Sequence, residues 1–140
     1  MKTRGSNKKT PKSSLDALVV GGGSFGTALA ALLVKNRRKV KLWVRREEQA
    51  QEINRHHTNK SYFPDLKLPA SLEATVDLAG TMEGTPVVLV AVPSKGFRDV
   101  ARQVGDTLTG DQVLLHSTKG IEPGTFKRMS EILREETCAL

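Results

Sequence analysis

The chain has 140 residues, a hydrophobic share of 38%, a net charge of +7 and one cysteine. That length fits about one domain, and no apolar run reaches the roughly 18 residues of a membrane-spanning helix. A lone thiol makes neither an internal disulfide nor a zinc cluster, so the chain reads as a soluble protein of a reducing compartment, with the cytoplasm as its expected location.

The charge is concentrated at the start. Residues 1–14 carry Lys2, Arg4, Lys8, Lys9 and Lys12 and no acid. This segment is expected to be a disordered, solvated tail. It has no apolar h-region and so is not a secretory signal. Its basic, acid-free composition would also suit a plastid leader, but it lacks the apolar face of an amphipathic helix. No aromatic residue lies among its lysines to stack a base, which argues against nucleic acid as a partner.

The domain is expected over 15–140. Leu15 to Val20 is short, apolar and followed at once by glycines, the pattern of a buried parallel strand. Phe25 to Asn36 reads as a helix ending in a basic cluster, and Lys39 to Val44 as a second strand that stops at Arg45-Arg46. Glu47 to about His56 reads as a second helix with two carboxylates in its first turn, where the helix dipole favours them. Residues 57–71 hold Pro64 and Pro69, show no period and read as a long loop. A short strand near Ala74–Val76 and a short helix from Asp77 follow. Val87 to Val92 is the strongest strand pattern, stopped by Pro93, with Ser94 expected to cap a helix running to about Leu108. Gln112 to Ser117 reads as a further strand. Phe126 to Glu136 reads as an amphipathic helix burying Phe126, Met129, Ile132 and Leu133.

Alternating strands and helices predict a mainly parallel sheet with helices on both faces, the α/β doubly wound, Rossmann-like arrangement. Such a sheet would place another strand after the last helix, so the fold is expected to be truncated.

Gly21-Gly22-Gly23-Ser24-Phe25-Gly26 matches GxGxxG between a buried strand and a helix. In that context Gly21 permits a tight turn, Gly23 lets a pyrophosphate approach the backbone, and Gly26 lets helix and strand pack closely. The helix N-terminus adds free N–H groups and partial positive charge. The end of the second strand selects the cofactor: an acid there would hold a ribose 2′-hydroxyl, whereas Arg45 can clasp a 2′-phosphate. NADP is therefore favoured over NAD, with Glu47 and Glu48 near enough to soften the preference. Pro93 and Ser94 end one parallel strand, and Ser117-Thr118-Lys119-Gly120 ends the next, at the edge where ligands bind in open α/β sheets. Lys119 is the candidate there for an anionic substrate or the cofactor. His56 and His57 are adjacent and read as a solvated helix end, lacking the i, i+4 spacing of a metal pair. His116 reads as a packed or edge residue of a strand, and Cys138 as a frayed terminal thiol. No metal site and no catalytic constellation is expected in this chain.

The segments GGGSFGTALA at 21–30, VKLWVRR at 40–46, NKSYFPDLKLP at 59–69, VVLVAVPS at 87–94 and STKGIEPGT at 117–125 occur in one order and spacing. Together they resemble the NAD(P)-dependent glycerol-3-phosphate dehydrogenases of the bacterial and plastid type, over about residues 15–136. Gly22 stands where that family usually has alanine, a departure expected to be mild. The resemblance implies interconversion of dihydroxyacetone phosphate and sn-glycerol 3-phosphate with NAD(P)H, which feeds phospholipid synthesis. It implies cofactor contacts at Ser24, Phe25 and Arg45, and contact of Lys119 with both cofactor and substrate phosphate. It also places Tyr62 beside the cofactor groove. The family's catalytic lysine lies in a second, helical domain that this chain does not reach, so the chain is expected to be inactive alone. The competing expectation is a non-catalytic dinucleotide-binding or interaction module that has reused the fold.

Overall fold

The structure, a computed structural model, describes residues 15–138. The basic tail and organellar leader considered for residues 1–14 lie outside the described residues.

The first strand, β1 (Ala17–Val20), is buried along its whole length. Its odd and even side chains serve different cores, as the two-residue repeat of a strand requires. Leu18 and Val20 join one cluster, and Ala17 and Val19 the other. The strand opens two residues later than the apolar run, because Asp16 is spent on a clasp: its carboxylate accepts from the Lys39 backbone N–H at 2.8 Å. Helix α1 (Ser24–Lys35) follows the glycines and leads to β2 (Val40–Trp43). Helix α2 (Glu47–His56) carries Glu47 and Glu48 in its first turn, as expected. Its chain then reverses through His57, in the left-handed conformation at φ 54°.

Strand β3 (Glu73–Thr75) and the five-residue helix α3 (Leu78–Met82) come next. Asp77 caps α3 by accepting from the Gly80 N–H at 2.9 Å. Strand β4 (Val87–Val90) is followed by a turn of 3-10 helix, Ser94–Gly96, and then by α4 (Phe97–Gly105). Strand β5 (Val113–His116) and helix α5 (Met129–Glu136) complete the fold.

The sheet has five strands in the order β3-β2-β1-β4-β5, every pair parallel. The chain winds outward from β1 to β3, then returns to the other side of β1 for β4 and β5. The reversal leaves a crevice beyond the carboxyl ends of β1 and β4, the ligand position of doubly wound sheets. One core packs α3, α4 and α5 against Trp43, Val88 and Val90. The other packs α1 and α2 against Val40, Leu42 and Val44. The α/β, Rossmann-like doubly wound class is thus observed, and central burial decides it. Fully buried side chains such as Phe97 and Ile53 each contribute about 1.5–3 kcal/mol.

Two local expectations are corrected. Phe126 does not belong to the last helix: it has φ 58° and is 74% exposed. The turn at Pro123-Gly124 is longer than its sequence suggests, with Ile121 bridged antiparallel to Arg128 and the helix opening only at Met129. Met129, Ile132 and Leu133 are buried as expected. Ser94 does not cap the helix after β4 either. It opens the 3-10 turn, and α4 starts after Gly96 with no side-chain cap. Among the described residues no helix is long and apolar enough to cross a membrane.

Candidate dinucleotide site

Parallel pairing brings the carboxyl ends of the strands to one edge, so the predicted residues converge there by topology. The glycine loop continues directly from β1, tied to β2 through the Gly21 N–H, which donates to the Trp43 carbonyl at 3.0 Å. Gly21 has φ +124°, and a β-carbon there would lie 2.3 Å from the Ala91 carbonyl oxygen. A β-carbon on Gly26 would lie 1.9 Å from the Gly21 carbonyl oxygen. No side chain fits at either position. Gly23 differs: the nearest atom to its notional β-carbon is the Tyr62 ring at 4.0 Å. The loop is therefore closed against protein at Gly21 and Gly26 and open at Gly23.

Gly23 is the N-cap of α1, with no side-chain cap bond and no acid in the first turn. Four N–H groups at a helix start lack intrahelical partners. Ser24 and Phe25 are exposed there, Phe25 by 58%. An uncapped twelve-residue helix opening on bare backbone fits an anion, and the donors present fit a pyrophosphate.

Arg45 leaves the end of β2 exposed, and its guanidinium reaches across to the turn after β4. One terminal nitrogen lies 3.8 Å from the β-carbon position of Gly96. Among the described residues no ion pair involves Arg45 or Arg46. Glu47 therefore does not neutralise Arg45; its carboxylate instead accepts from Gln51 at 3.2 Å. Pro93 is exposed at the end of β4. Beside it the Thr118 hydroxyl donates to the Val92 carbonyl at 2.6 Å, holding the 117–120 turn to β4. Lys119 is exposed on that turn and Gly120 has φ +99°.

Three residues that support this loop do not stand out by chemistry or spacing, although Thr27 and Asn59 lie within the family-like segments 21–30 and 59–69. The Gly22 carbonyl accepts from Gln49 Nε2 at 2.7 Å, from Asn59 Nδ2 at 3.1 Å and from Thr27 Oγ1 at 3.4 Å. Asn59 and Thr27 are fully buried. Gly22 is also less free to change than expected, since a methyl there would lie 2.5 Å from Val44 Cγ1 and 2.9 Å from Gln49 Nε2. Behind this network Glu52 accepts from the Thr58 hydroxyl and the Lys60 N–H, both at 2.8 Å. The Lys60 bond holds the Glu52 carboxyl below its ordinary value.

The histidines stand apart from the site. His56 is exposed, but His57 is only half-exposed and its Nδ1 is buried without a hydrogen-bond partner, which corrects the expectation of a solvated pair. His116 sits on the edge strand, its ring edge-on to Phe97 at 5.8 Å between centroids. Cys138 is exposed. Among the described residues no group of three or more His, Cys, Asp or Glu could hold a metal ion.

Known proteins match this arrangement. The family model for the NAD-dependent glycerol-3-phosphate dehydrogenase N-terminus matches residues 16–139. A glycerol-3-phosphate dehydrogenase [NAD(P)+] of Enterococcus faecalis is 47% identical over 118 residues, covering 84% of this chain and 35% of the relative. The enzyme of that name from Leuconostoc mesenteroides is 48% identical over 124 residues, covering 86% and 37%. The crystal structure of glycerol-3-phosphate dehydrogenase from Coxiella burnetii superposes with a TM-score of 0.79 at 30% identity, covering 87% of this chain and 37% of that one. The chain thus spans little more than a third of the length of these relatives. With strand order, glycine loop and family model in agreement, the chain belongs to the NAD-dependent glycerol-3-phosphate dehydrogenase family, of which it carries the N-terminal, NAD-binding part.

Proposed function

We propose that this chain binds NADP(H) in preference to NAD(H), as the cofactor half of an enzyme interconverting dihydroxyacetone phosphate and sn-glycerol 3-phosphate. The observation that carries the reading is the asymmetry of the glycine loop: Gly21 and Gly26 are packed against backbone, while Gly23 and the uncapped start of α1 face open space. The pyrophosphate lies on the N–H groups of 23–26, with Ser24 and Phe25 beside it and Tyr62 along the groove. Arg45 takes the 2′-phosphate, supported by its freedom from the neighbouring carboxylates. Pro93 and Ser94 border the crevice at the end of β4.

When bound, the nicotinamide supplies or accepts the hydride. The residues of this chain orient it, and Lys119 meets the substrate phosphate as well as the cofactor. The cytoplasm is the location consistent with this reading.

The test is a titration of the chain with NADPH and with NADH, followed by fluorescence. A charge-assisted pair is worth roughly 1.5–3 kcal/mol, so Arg45→Gln should weaken NADPH about ten- to hundredfold. NADH binding should be nearly unchanged. Equal losses for both cofactors would remove the 2′-phosphate role, and no binding of either by the wild-type chain would remove the reading itself.

A further inference from the structure

We propose that Asn59 is a positioning residue for dinucleotide binding, aiming the Gly23 N–H at the phosphate while holding Tyr62 against the same loop. The inference rests on the cofactor reading above and deepens it.

The argument begins with one peptide plane. In a trans peptide the carbonyl and the following N–H point in opposite directions, and the described chain has no cis bonds. Fixing the Gly22 carbonyl therefore fixes the Gly23 N–H. That carbonyl accepts from Gln49, Asn59 and Thr27, all on the protein side. The Gly23 N–H consequently points away from them, toward the open side of the loop. Glycine has no side chain to set this tilt and loses more freedom on ordering than any other residue. The orientation must come from outside the loop.

Asn59 is the residue that connects the parts. Its Nδ2 donates to the Gly22 carbonyl at 3.1 Å and to Thr27 Oγ1 at 3.0 Å, and its Oδ1 accepts from Gln49 Nε2 at 3.3 Å. All three side-chain contacts reach the glycine loop or its supports. Its backbone carbonyl meanwhile accepts from the N–H groups of Tyr62 and Phe63, at 3.0 and 2.8 Å. Those bonds make the turn that lays the Tyr62 ring near Gly23. One fully buried residue thus sets the donor and the wall of the same groove. The glycine at 22 takes part too: Gln49 Nε2 occupies space that a methyl would contest.

The experiment uses the full chain, titrated with NADPH and observed by amide NMR. Asn59→Asp keeps the shape but replaces two N–H donors by an oxygen facing the Gly22 carbonyl. It should weaken NADPH about tenfold or more, the loss of one to two net hydrogen bonds. The Gly23 amide resonance should move even without cofactor, while the β5 amides stay in place. Should Asn59→Asp fail to fold, a second pair decides. Thr27→Val should weaken NADPH several-fold and move the Gly23 amide, and Thr27→Ser should restore both. Wild-type affinity in a folded Asn59→Asp, a Gly23 amide that does not move, or equal behaviour of Thr27→Val and Thr27→Ser would each overturn the proposal. Absence of NADPH binding in the wild-type chain would instead sink the cofactor reading, and this proposal with it.

Discussion

The loop that ends β1 and the loop that ends β5 lie at the same edge of the sheet, and they are built in opposite ways. At the end of β1 the backbone has no spare room. Gly21 and Gly26 press on neighbouring carbonyls, and the Gly22 carbonyl is held by three buried or nearly buried side chains. At the end of β5, Gly120 has nothing within 4 Å of its notional β-carbon, and Gly124 is equally open. The Thr118 hydroxyl bond to Val92 and the Ser117 N–H bond to the Val90 carbonyl, at 3.0 Å, tie that turn to β4. The strands beneath differ in the same sense: β1 is buried throughout, whereas Val113 and Leu115 on β5 are 55% and 47% exposed. The first loop is rigid because the core dictates it. The second is held by a few polar contacts at an exposed edge of the fold.

The contrast is broken or sharpened most directly by adding a methyl to each loop. Gly26→Ala forces a β-carbon into the Gly21 carbonyl. Overpacking at such a site costs about 3 kcal/mol, and NADPH binding should be lost with it. Gly120→Ala meets no atom and carries only the penalty of a positive φ, about 1 kcal/mol. Urea unfolding of both variants measures the difference. Equal destabilisation would mean that the two loops are constrained alike.

A smaller effect tests the tether of the second loop. Thr118→Val keeps the volume and removes the bond to Val92. The net worth of such a hydrogen bond is about 1 kcal/mol. The unfolding free energy should fall by that amount, lowering the urea midpoint, and the resonances of Ser117 to Gly120 should shift while those of Gly21 to Gly26 do not. A disturbance that reached the glycine loop would show the two ends of the crevice to be coupled.

This division also explains what could be read from the sequence. The glycine loop was legible because its constraints are local: a buried strand, three glycines at fixed spacing and a helix, all within 30 residues of chain. The position of Arg45 just past the end of β2 was legible from the charged pair that stops the strand pattern. Asn59 was not, because its side-chain partners lie 10, 32 and 37 positions away and the 57–71 segment has no period to orient it. Phe126 was misread for a related reason. It sits three residues before Met129 and extends an apolar helical spacing, but the bridge between Ile121 and Arg128 holds it in a turn. Ser94 is a good capping residue placed where the chain makes a 3-10 turn first. Patterns report what a segment could do, and contacts distant in sequence decide.

The smallest expected effect is local and concerns charge. Arg98 on α4 clasps the far side of the second loop. Its Nε and Nη2 donate to the two carboxylate oxygens of Glu122 at 2.7 and 2.8 Å, and Nη1 donates to Glu135 and Glu136 at the end of α5. The Arg98 bonds, helped by the Thr125 hydroxyl, hold the Glu122 carboxyl down to about 2 from its ordinary 4.5. A carboxyl depressed in the folded state contributes its full stabilisation above the unfolded value and loses it as pH falls through the folded one. The clasp should therefore be complete above about pH 4.5 and be lost as the pH falls through about 2. Amide resonances of Thr125 and Phe126 should titrate in that low window, and those of Gly21 to Gly26 should not follow them. Glu122→Gln should weaken the clasp at neutral pH and flatten the acid transition, though Glu135 and Glu136, also lowered by their basic partners, keep part of it. A titration of the loop centred near pH 4.5 would show that Arg98 does not hold Glu122 in solution. The second loop would then rest on Thr118, the Ser117 backbone bond to Val90 and the Ile121–Arg128 bridge, and the contrast with the glycine loop would be larger still.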